Sequence, residues 1–479
     1  MLQTRHQGIG RPDVDNALTT TTIEWDDDLR RGIWPRSAMI WIIAFWMMLL
    51  TIRPWESLIP SIAPLHVERT YALAALVVLF VSGQFRIVSS MQTTGLILWF
   101  VALAVSSALA LQPSLSWDKL YVYMTVFLLF FVLVATIRTA YQLVFIVTCF
   151  IVSFGAFLAK SQWEYFLHGA HGFEMGVYRL KGLNQTYGHP NCVAGMAVIS
   201  LPFWLFLWQS RREFTHSWPS SWRKAFGWAL VLYFPLALSS IILTNSRTGI
   251  MGFVVFISFV ILSGQNIGRV LVSLAGVLVL LGVTWMVIPE QNRHRIQTLW
   301  APTEADSSAV ASAEGRKVGF NMGMEMFRRF PATGVGLANF QYYRKSLLDG
   351  SNLVAHNTYG AVLGETGLVG GAAFAFFIVV IFRNASRTNR LAKVVPDPIV
   401  QLLARLTVAC RRSTFLYLFV GIAGDYQAFA PLYWIAAYCL LAWYIATTIS
   451  HRLGYEAFAD GVQGRTDLWV PSLQLPNAG

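Results

Sequence analysis

Charge is scarce in this chain. Asp, Glu, Lys and Arg make up 13% of its 479 residues, about half the roughly 25% usual in soluble domains, so an ordinary soluble globular fold is excluded. Cysteine is scarce too. Cys149, Cys192, Cys410 and Cys439 fall in or beside apolar runs, none in a CxxC or Cys/His ligand spacing, and free thiols with no structural metal are expected. There is no internal repeat, no low-complexity block and no βαβ alternation, so the GVG at 334 to 336 reads as a turn, not a nucleotide loop. The first 35 or so residues lack an apolar stretch followed by a small-residue cleavage site and carry Asp26, Asp27, Asp28, Arg30 and Arg31. They are expected to be a cytoplasmic tail and not a cleaved signal.

Apolar residues are plentiful, at 55%. Twelve membrane helices of about 20 residues use roughly 240 positions, so most of the chain can lie in lipid. Candidate spans fall at 37 to 53, 68 to 83, 93 to 111, 120 to 136, 140 to 159, 191 to 208, 226 to 244, 248 to 264, 270 to 288, 358 to 382, 413 to 430 and 432 to 449. The expected fold is an all-α polytopic membrane protein. It has a tail at 1 to 36, a transmembrane domain at 37 to 450 and a second tail at 451 to 479. The link around Pro431 leaves room for a re-entrant hairpin.

An even count puts both termini on one side. With a cytoplasmic N-terminus, the inside segments hold 21 of the 36 Lys and Arg residues, including a basic stretch from Arg383 through Arg412, and 36 − 21 = 15 lie outside. Eight of those 15 sit in one long loop, about 289 to 357, which the positive-inside rule discounts. The net charge of +12 is therefore mostly topology, and nucleic acid is not an expected partner. Within the long loop, Gly315 to Phe330 places Val318, Met322 and Met326 at helical spacing. Two readings fit: a surface helix on the outer leaflet, or a helix packed over the bundle.

Chemistry is expected where this loop meets the tenth span. His356-Asn357 is followed by nine residues, then Gly367, two residues and Gly370. Gly360, Gly364, Gly367 and Gly371 are spaced to line one helix face against a close neighbour, with Asn357 as its cap. Glu365 lies about 13 Å further along at 1.5 Å per residue and needs a partner inside a membrane. Outside the membrane, Arg179 and Lys181 stand in the loop from Lys160 to Pro190, Arg247 in the short hairpin NSRTG, and Arg316 at the start of the loop helix. Each arginine also fits a snorkelling role, and His356 fits a capping one.

The His-Asn, nine residues, Gly-x-x-Gly run at 356 to 370 resembles the signature of the bacterial O-antigen ligase family, related to O-antigen and exopolysaccharide polymerases. RLKG at 179 to 182 with GHPN at 188 to 191, which adds His189, also resemble segments of that superfamily, as do NSRTG at 245 to 249 and the stretch 315 to 340. The resemblance implies a metal-independent, cofactor-free glycosyltransferase of the GT-C type in a bacterial inner membrane. It would act on the extracytoplasmic face, moving a glycan from a polyprenyl-pyrophosphate carrier to a lipid or glycan acceptor. His356 is then the candidate base, and Arg179, Arg247 and Arg316 the candidate pyrophosphate ligands. The supporting residues are Asn357, Glu365, Gly367, Gly370 and His189. An Arg-x10-Gly pattern described for some polymerases does not occur at Arg179 or Arg316, where Pro190 and Phe327 take the glycine's place, which tilts the resemblance toward the ligase. A reading from another class is a polytopic transporter built around Glu365 and Asp425; a third is a non-catalytic scaffold. The topology makes a direct prediction. Reporter fusions after Arg212 and Arg390 read cytoplasmic and those after Lys181 and Ala311 read external, and reversed signals at the last two put His356 on the wrong side for this chemistry.

Overall fold

The computed structural model describes residues 34–57, 59–65, 67–83, 85–174, 177–183, 187–263 and 307–455, with the isolated Gly276 and Gly282. The chain is a helical membrane protein. Its main elements are α1 (Ala38–Ile52), α2 (Val67–Val81), α3 (Met91–Ala108), α4 (Pro113–Thr136), α5 (Ala140–Leu167), β1 (His171–Glu174), β2 (Val177–Leu180), α6 (Pro190–Phe214) and α7 (Ser220–Leu243). These are followed by α8 (Arg247–Ile261), α9 (Ser307–Arg329), α10 (Thr358–Leu391), α11 (Pro398–Val420) and α12 (Ala430–Arg452). Among the described residues nine helices are long and apolar enough to span a membrane. Two more expected spans are the 15-residue helices α2 and α8, and the one at 270 to 288 lies outside the described residues.

Several helices outrun the hydropathy reading, and for two of them the local cause is visible. The eleventh span starts at Pro398, behind an Asp397 cap that accepts from the Ile399 and Val400 amides, and not at 413. Arg405, Arg411 and Arg412 lower the local hydropathy, but Arg405 is paired with Glu213 and Ser210 of α6, so the helix carries its charges on paired or edge positions. The basic stretch from Arg383 to Arg412 is thus the end of α10 and the first half of α11. Likewise α5 runs on to Leu167 because Lys160, Glu164 and His168 pair at i, i+4 spacing. The loop after it contains a short hairpin, with Phe173 opposite Tyr178.

Helices α6 and α12 form the inside of the bundle, with 72% of their apolar windows buried against 44% for α7. Large rings fill the middle. Trp99 of α3 donates to the Tyr433 hydroxyl at 3.1 Å, and Tyr433 donates to the Gln427 carbonyl at 2.8 Å, so these buried polar atoms are satisfied.

The four-glycine face expected on α10 is interrupted. Gly367 has φ 62° and ψ −157°, a region open in practice only to glycine, and it breaks α10 into an arm, 358 to 366, and a spanning part, 368 to 391. Four backbone groups lose helical partners there. The loop after α9 supplies replacements: Leu368 N–H donates to the Pro331 carbonyl (2.8 Å) and Val369 N–H to Ala332 (3.1 Å), while Val335 N–H donates to the Gly364 carbonyl (2.9 Å) and Gly336 N–H to Glu365 (3.0 Å). The loop must come very close. A Cβ on Gly367 would stand 2.5 Å from the Ala332 carbonyl carbon, and one on Gly334 would stand 2.3 Å from that of Glu365. Only Gly360 and Gly364 of the four pack against the α9 backbone: a Cβ on Gly360 would stand 3.1 Å from Phe320 Cα and 3.3 Å from the Gly319 carbonyl oxygen, and one on Gly364 would stand 3.1 Å from Gly323 Cα. The loop helix therefore packs over the bundle, and its buried face is Gly319, Gly323 and Met326, with Val318 left exposed.

Gly367→Ala should lower the thermal midpoint of the purified protein, in line with a cost of about 1–3 kcal/mol for forcing a side chain into this backbone region; Gly367→Leu should be worse. Gly315→Ala, inside α9 where a Cβ meets nothing within 4 Å, should melt at or slightly above the wild type. Equal midpoints for Gly367→Ala and Gly315→Ala in a fluorescence melt would contradict the broken-helix account.

Candidate functional site

Where α8, α9 and the start of α10 converge, a cavity of about 380 Å³ opens on the face that carries the long loop. Its wall joins Arg247, Arg316, Lys317 and Asn357 to Met251, Phe320, Phe419 and Ile422. Three residues singled out in the sequence, more than 100 positions apart at the extremes, thus share one chamber.

Each is placed by local structure. In NSRTG, Asn245 takes φ 50° and holds the Tyr178 carbonyl of the hairpin at 3.2 Å. Ser246 then caps α8 by accepting from Gly249 N–H, and Arg247 is the first helical residue. Gly249 lets α8 approach α6, since a Cβ there would come within 2.6 Å of Ala194. Arg316 and Lys317 lie within α9, which begins at Ser307, and not at its start as expected. Asn357 caps α10 twice over, accepting from Tyr359 and Gly360 amides at 3.0 and 2.9 Å, and its own amide donates to the Ile422 carbonyl at 2.8 Å. The cap thereby fastens the α11–α12 connection to the cavity wall.

His356 directly precedes that cap with φ 47°, an uncommon conformation for a residue with a side chain. The reason is visible on either side: the Ala355 carbonyl lies against Gly319 of α9, and Asn357 is pinned as a cap. The ring is exposed by surface area, yet enough protein surrounds it that burial lowers its pKa from the ordinary 6.5, and the Arg316 and Arg344 guanidinium groups push it the same way. Arg316 is lowered by burial and by Arg247, with Tyr426 opposing. No acidic side chain lines the cavity among the described residues. The chamber is an unbalanced positive site that favours an anion.

Sequence reasoning missed Lys317, although it adjoins Arg316, and Arg344. The latter is buried and donates to both oxygens of Asp349, holding that carboxyl below its usual range. The apolar wall at Phe419 and Ile422 was assigned to the body of a span. Its signal was masked by the misplaced start of α11.

His356 adjoins the chamber next to Asn357 but does not line it, and other expected residues stand further apart. Arg179 is buried and does not line it; its Nε donates to the Thr244 carbonyl at 2.8 Å and its Nη2 to Asn191 Oδ1 at 2.9 Å. His189 caps α6, its Nδ1 accepting from Asn191 N–H at 3.1 Å. These residues join the hairpin to the ends of α6 and α7, just before Arg247. Glu365 is buried, and its carboxylate accepts from Gln427 Nε2 at 3.0 Å and from Phe340 N–H at 3.3 Å, which identifies the partners a membrane-embedded acid requires. Gly370 is buried one turn past Thr366. Asp425, in the α11–α12 connection, has its pKa raised by burial, with Lys119 and Gln427 opposing. Among the described residues no group of three or more His, Cys, Asp or Glu side chains is placed to hold a metal ion.

Residues 229–375 match the family model described as O-Antigen ligase. That stretch runs from α7 into the spanning part of α10 and contains Arg247, Arg316, His356, Asn357, Glu365, Gly367 and Gly370, whereas Arg179 and His189 precede it. No curated protein matches the chain. With nine described helices able to span a membrane and the cavity built largely from the matched stretch, this is a multi-pass membrane protein whose residues 229–375 are similar to the O-antigen ligase family.

Proposed function

We propose that the chain is a GT-C type glycosyltransferase of a bacterial inner membrane, with both termini cytoplasmic and the cavity on the extracytoplasmic face. It transfers a glycan from a polyprenyl-pyrophosphate carrier to an acceptor hydroxyl. The observation that carries this reading is the pairing, in one cavity, of Arg247, Arg316 and Lys317 with an apolar wall of Met251, Phe419 and Ile422. A pyrophosphate with a hydrocarbon tail needs both.

In the reaction, neutral His356 takes the proton of the acceptor hydroxyl as its oxygen attacks the anomeric carbon. The bond from that carbon to the pyrophosphate oxygen breaks, and the carrier leaves as polyprenyl pyrophosphate. Negative charge gathers on the leaving group, where guanidinium groups fixed in a partly dry site stabilise it without having to reorganise. Paired N–H donors from Arg247 and Arg316 suit phosphate oxygens. In this reading these cations supply the charge that a metal would otherwise provide. Arg179 serves as a positioning residue, holding the Thr244 carbonyl and Asn191 and through them the α7–α8 turn. Glycan carrier, acceptor and membrane lipid are the partners; the ligase reading has a lipid acceptor and the polymerase reading a second carrier-linked glycan.

The base must be unprotonated to work. Because the pKa of His356 is lowered, the neutral form prevails at pH 7, and kcat/KM should fall on the acid side with a midpoint below 6.5. In transfer assays from a purified polyprenyl-pyrophosphate glycan, His356→Ala should lose about 10²–10⁴-fold in turnover while donor binding and protein level stay near wild type. Arg247→Lys should lose most transfer despite keeping its charge, and EDTA should leave the wild type unchanged. Full activity of His356→Ala removes the base assignment; loss with EDTA replaces the mechanism with a metal-assisted one.

A further inference from the structure

A second, larger concavity lies at the other end of the bundle, between α1, α5 and α7, with a volume of about 500 Å³. Its mouth is ringed by Trp34, Trp41 and Trp222, and its walls run down past Tyr141 to Met48 and Val152. From Tyr141 to Val152 along α5 is about 17 Å at 1.5 Å per residue, close to the thickness of one leaflet of a hydrocarbon core of about 30 Å. The groove is thus as deep as one leaflet. At the mouth the Trp34 ring meets Trp41 at 5.6 Å, Trp222 at 5.5 Å and Phe145 at 6.3 Å, so the rim is a preformed cluster from three helices and the segment before α1. Indole rings sit at the headgroup level of a bilayer.

Among the described residues, the charges next to the rim tryptophans in sequence are all basic. Arg36 lies two residues after Trp34, and Arg223 and Lys224 follow Trp222, all three exposed. Glu213, the nearest acidic residue before Trp222 in sequence, is engaged by Arg405. A transmembrane helix of a partner is too wide for this groove: with its side chains it is about 10–12 Å across, whereas the mouth is closed in by the clustered rings of Trp34, Trp41, Trp222 and Phe145. A single flexible hydrocarbon chain fits the depth and the apolar lining, and the basic rim selects its headgroup.

We propose that this groove binds one acyl chain of an anionic phospholipid from the leaflet on the Trp34 side, with the lipid phosphate held by Arg36, Arg223 and Lys224. The site is separate from the cavity at Arg247 and Arg316 and does not depend on the reaction assigned to it. Binding there ties α1, α5 and α7 together at the end of the bundle opposite the loop face.

The test uses the full chain in vesicles of phosphatidylglycerol and phosphatidylcholine, carrying a trace of either lipid with a photoreactive diazirine on one acyl chain. The phosphatidylglycerol probe should label peptides spanning 34–48, 141–153 and 222–229 about fivefold more than the phosphatidylcholine probe. Ala225→Phe and Ala229→Phe place bulk in the groove from exposed positions, so folding is spared, and each should reduce that labelling to the level of other lipid-facing helices. Replacing Arg36, Arg223 and Lys224 together by Gln should make the two probes equal. Equal labelling by both probes in the wild type overturns the proposal. So does labelling spread evenly over all lipid-facing helices, labelling unchanged by both filling variants, or crosslinking of the groove to a second copy of the chain.

Discussion

The loop face depends on backbone hydrogen bonds made across the break in α10. A helix interrupted inside a membrane bundle exposes amides and carbonyls that lipid cannot satisfy, and such breaks persist only where protein supplies partners. Here the segment 331 to 336 supplies them from both sides, pairing with residues 364, 365, 368 and 369. The same segment is anchored at its far edge, where Leu111 N–H donates to the Val335 carbonyl and Asn339 accepts from Gln112 N–H and donates to Ser116. One short loop therefore joins the α3–α4 turn to α10 and fixes the height at which the arm of α10 leaves the bundle.

From that arm the candidate site is positioned by successive short contacts. Gly360 and Gly364 lie on Gly319 and Gly323, which sets α9 across the top and brings Arg316 and Lys317 over Asn357. The cap at Asn357 reaches to Ile422, and Thr358 Oγ1 bonds the Gly424 carbonyl and the Tyr426 amide, so the α11–α12 connection is held by the same turn. Strain at His356 is a by-product of this arrangement: the residues on either side are fixed, and the histidine takes the conformation left to it. That ring then stands exposed, with Arg316 and Arg344 near enough to lower its pKa.

Much of this was legible in the sequence. Long apolar runs mark the spans because lipid demands about 20 such residues in a row, and the cavity's polar wall was visible in part as Asn357, NSRTG and Arg316 near a loop junction. Hydropathy failed where charge is paired laterally, as at Arg405 with Glu213, since pairing between distant helices leaves no local trace. Glycine spacing was read as a packing face, and two of the four positions behave that way. Gly367 does not, because its role depends on the loop 30 residues earlier rather than on its helical neighbours. Arg179 was singled out by its place in the loop and by the resemblance of RLKG, and its burial against Thr244 and Asn191 comes with the hairpin, which carries no periodic signal in a segment this short.

The order of the chain bears on how the break in α10 can be built. Residues 331 to 336 precede Gly367, so during synthesis the partners for the interrupted backbone emerge before the groups they will pair with. When the second part of α10 enters the bilayer, its first two amides can be received at once by Pro331 and Ala332 instead of waiting unpaired among lipid tails. A circular permutation that moved 331 to 336 behind α10 would preserve every contact in the finished fold and still remove this advantage, because the unsatisfied amides would then have to cross into the membrane first.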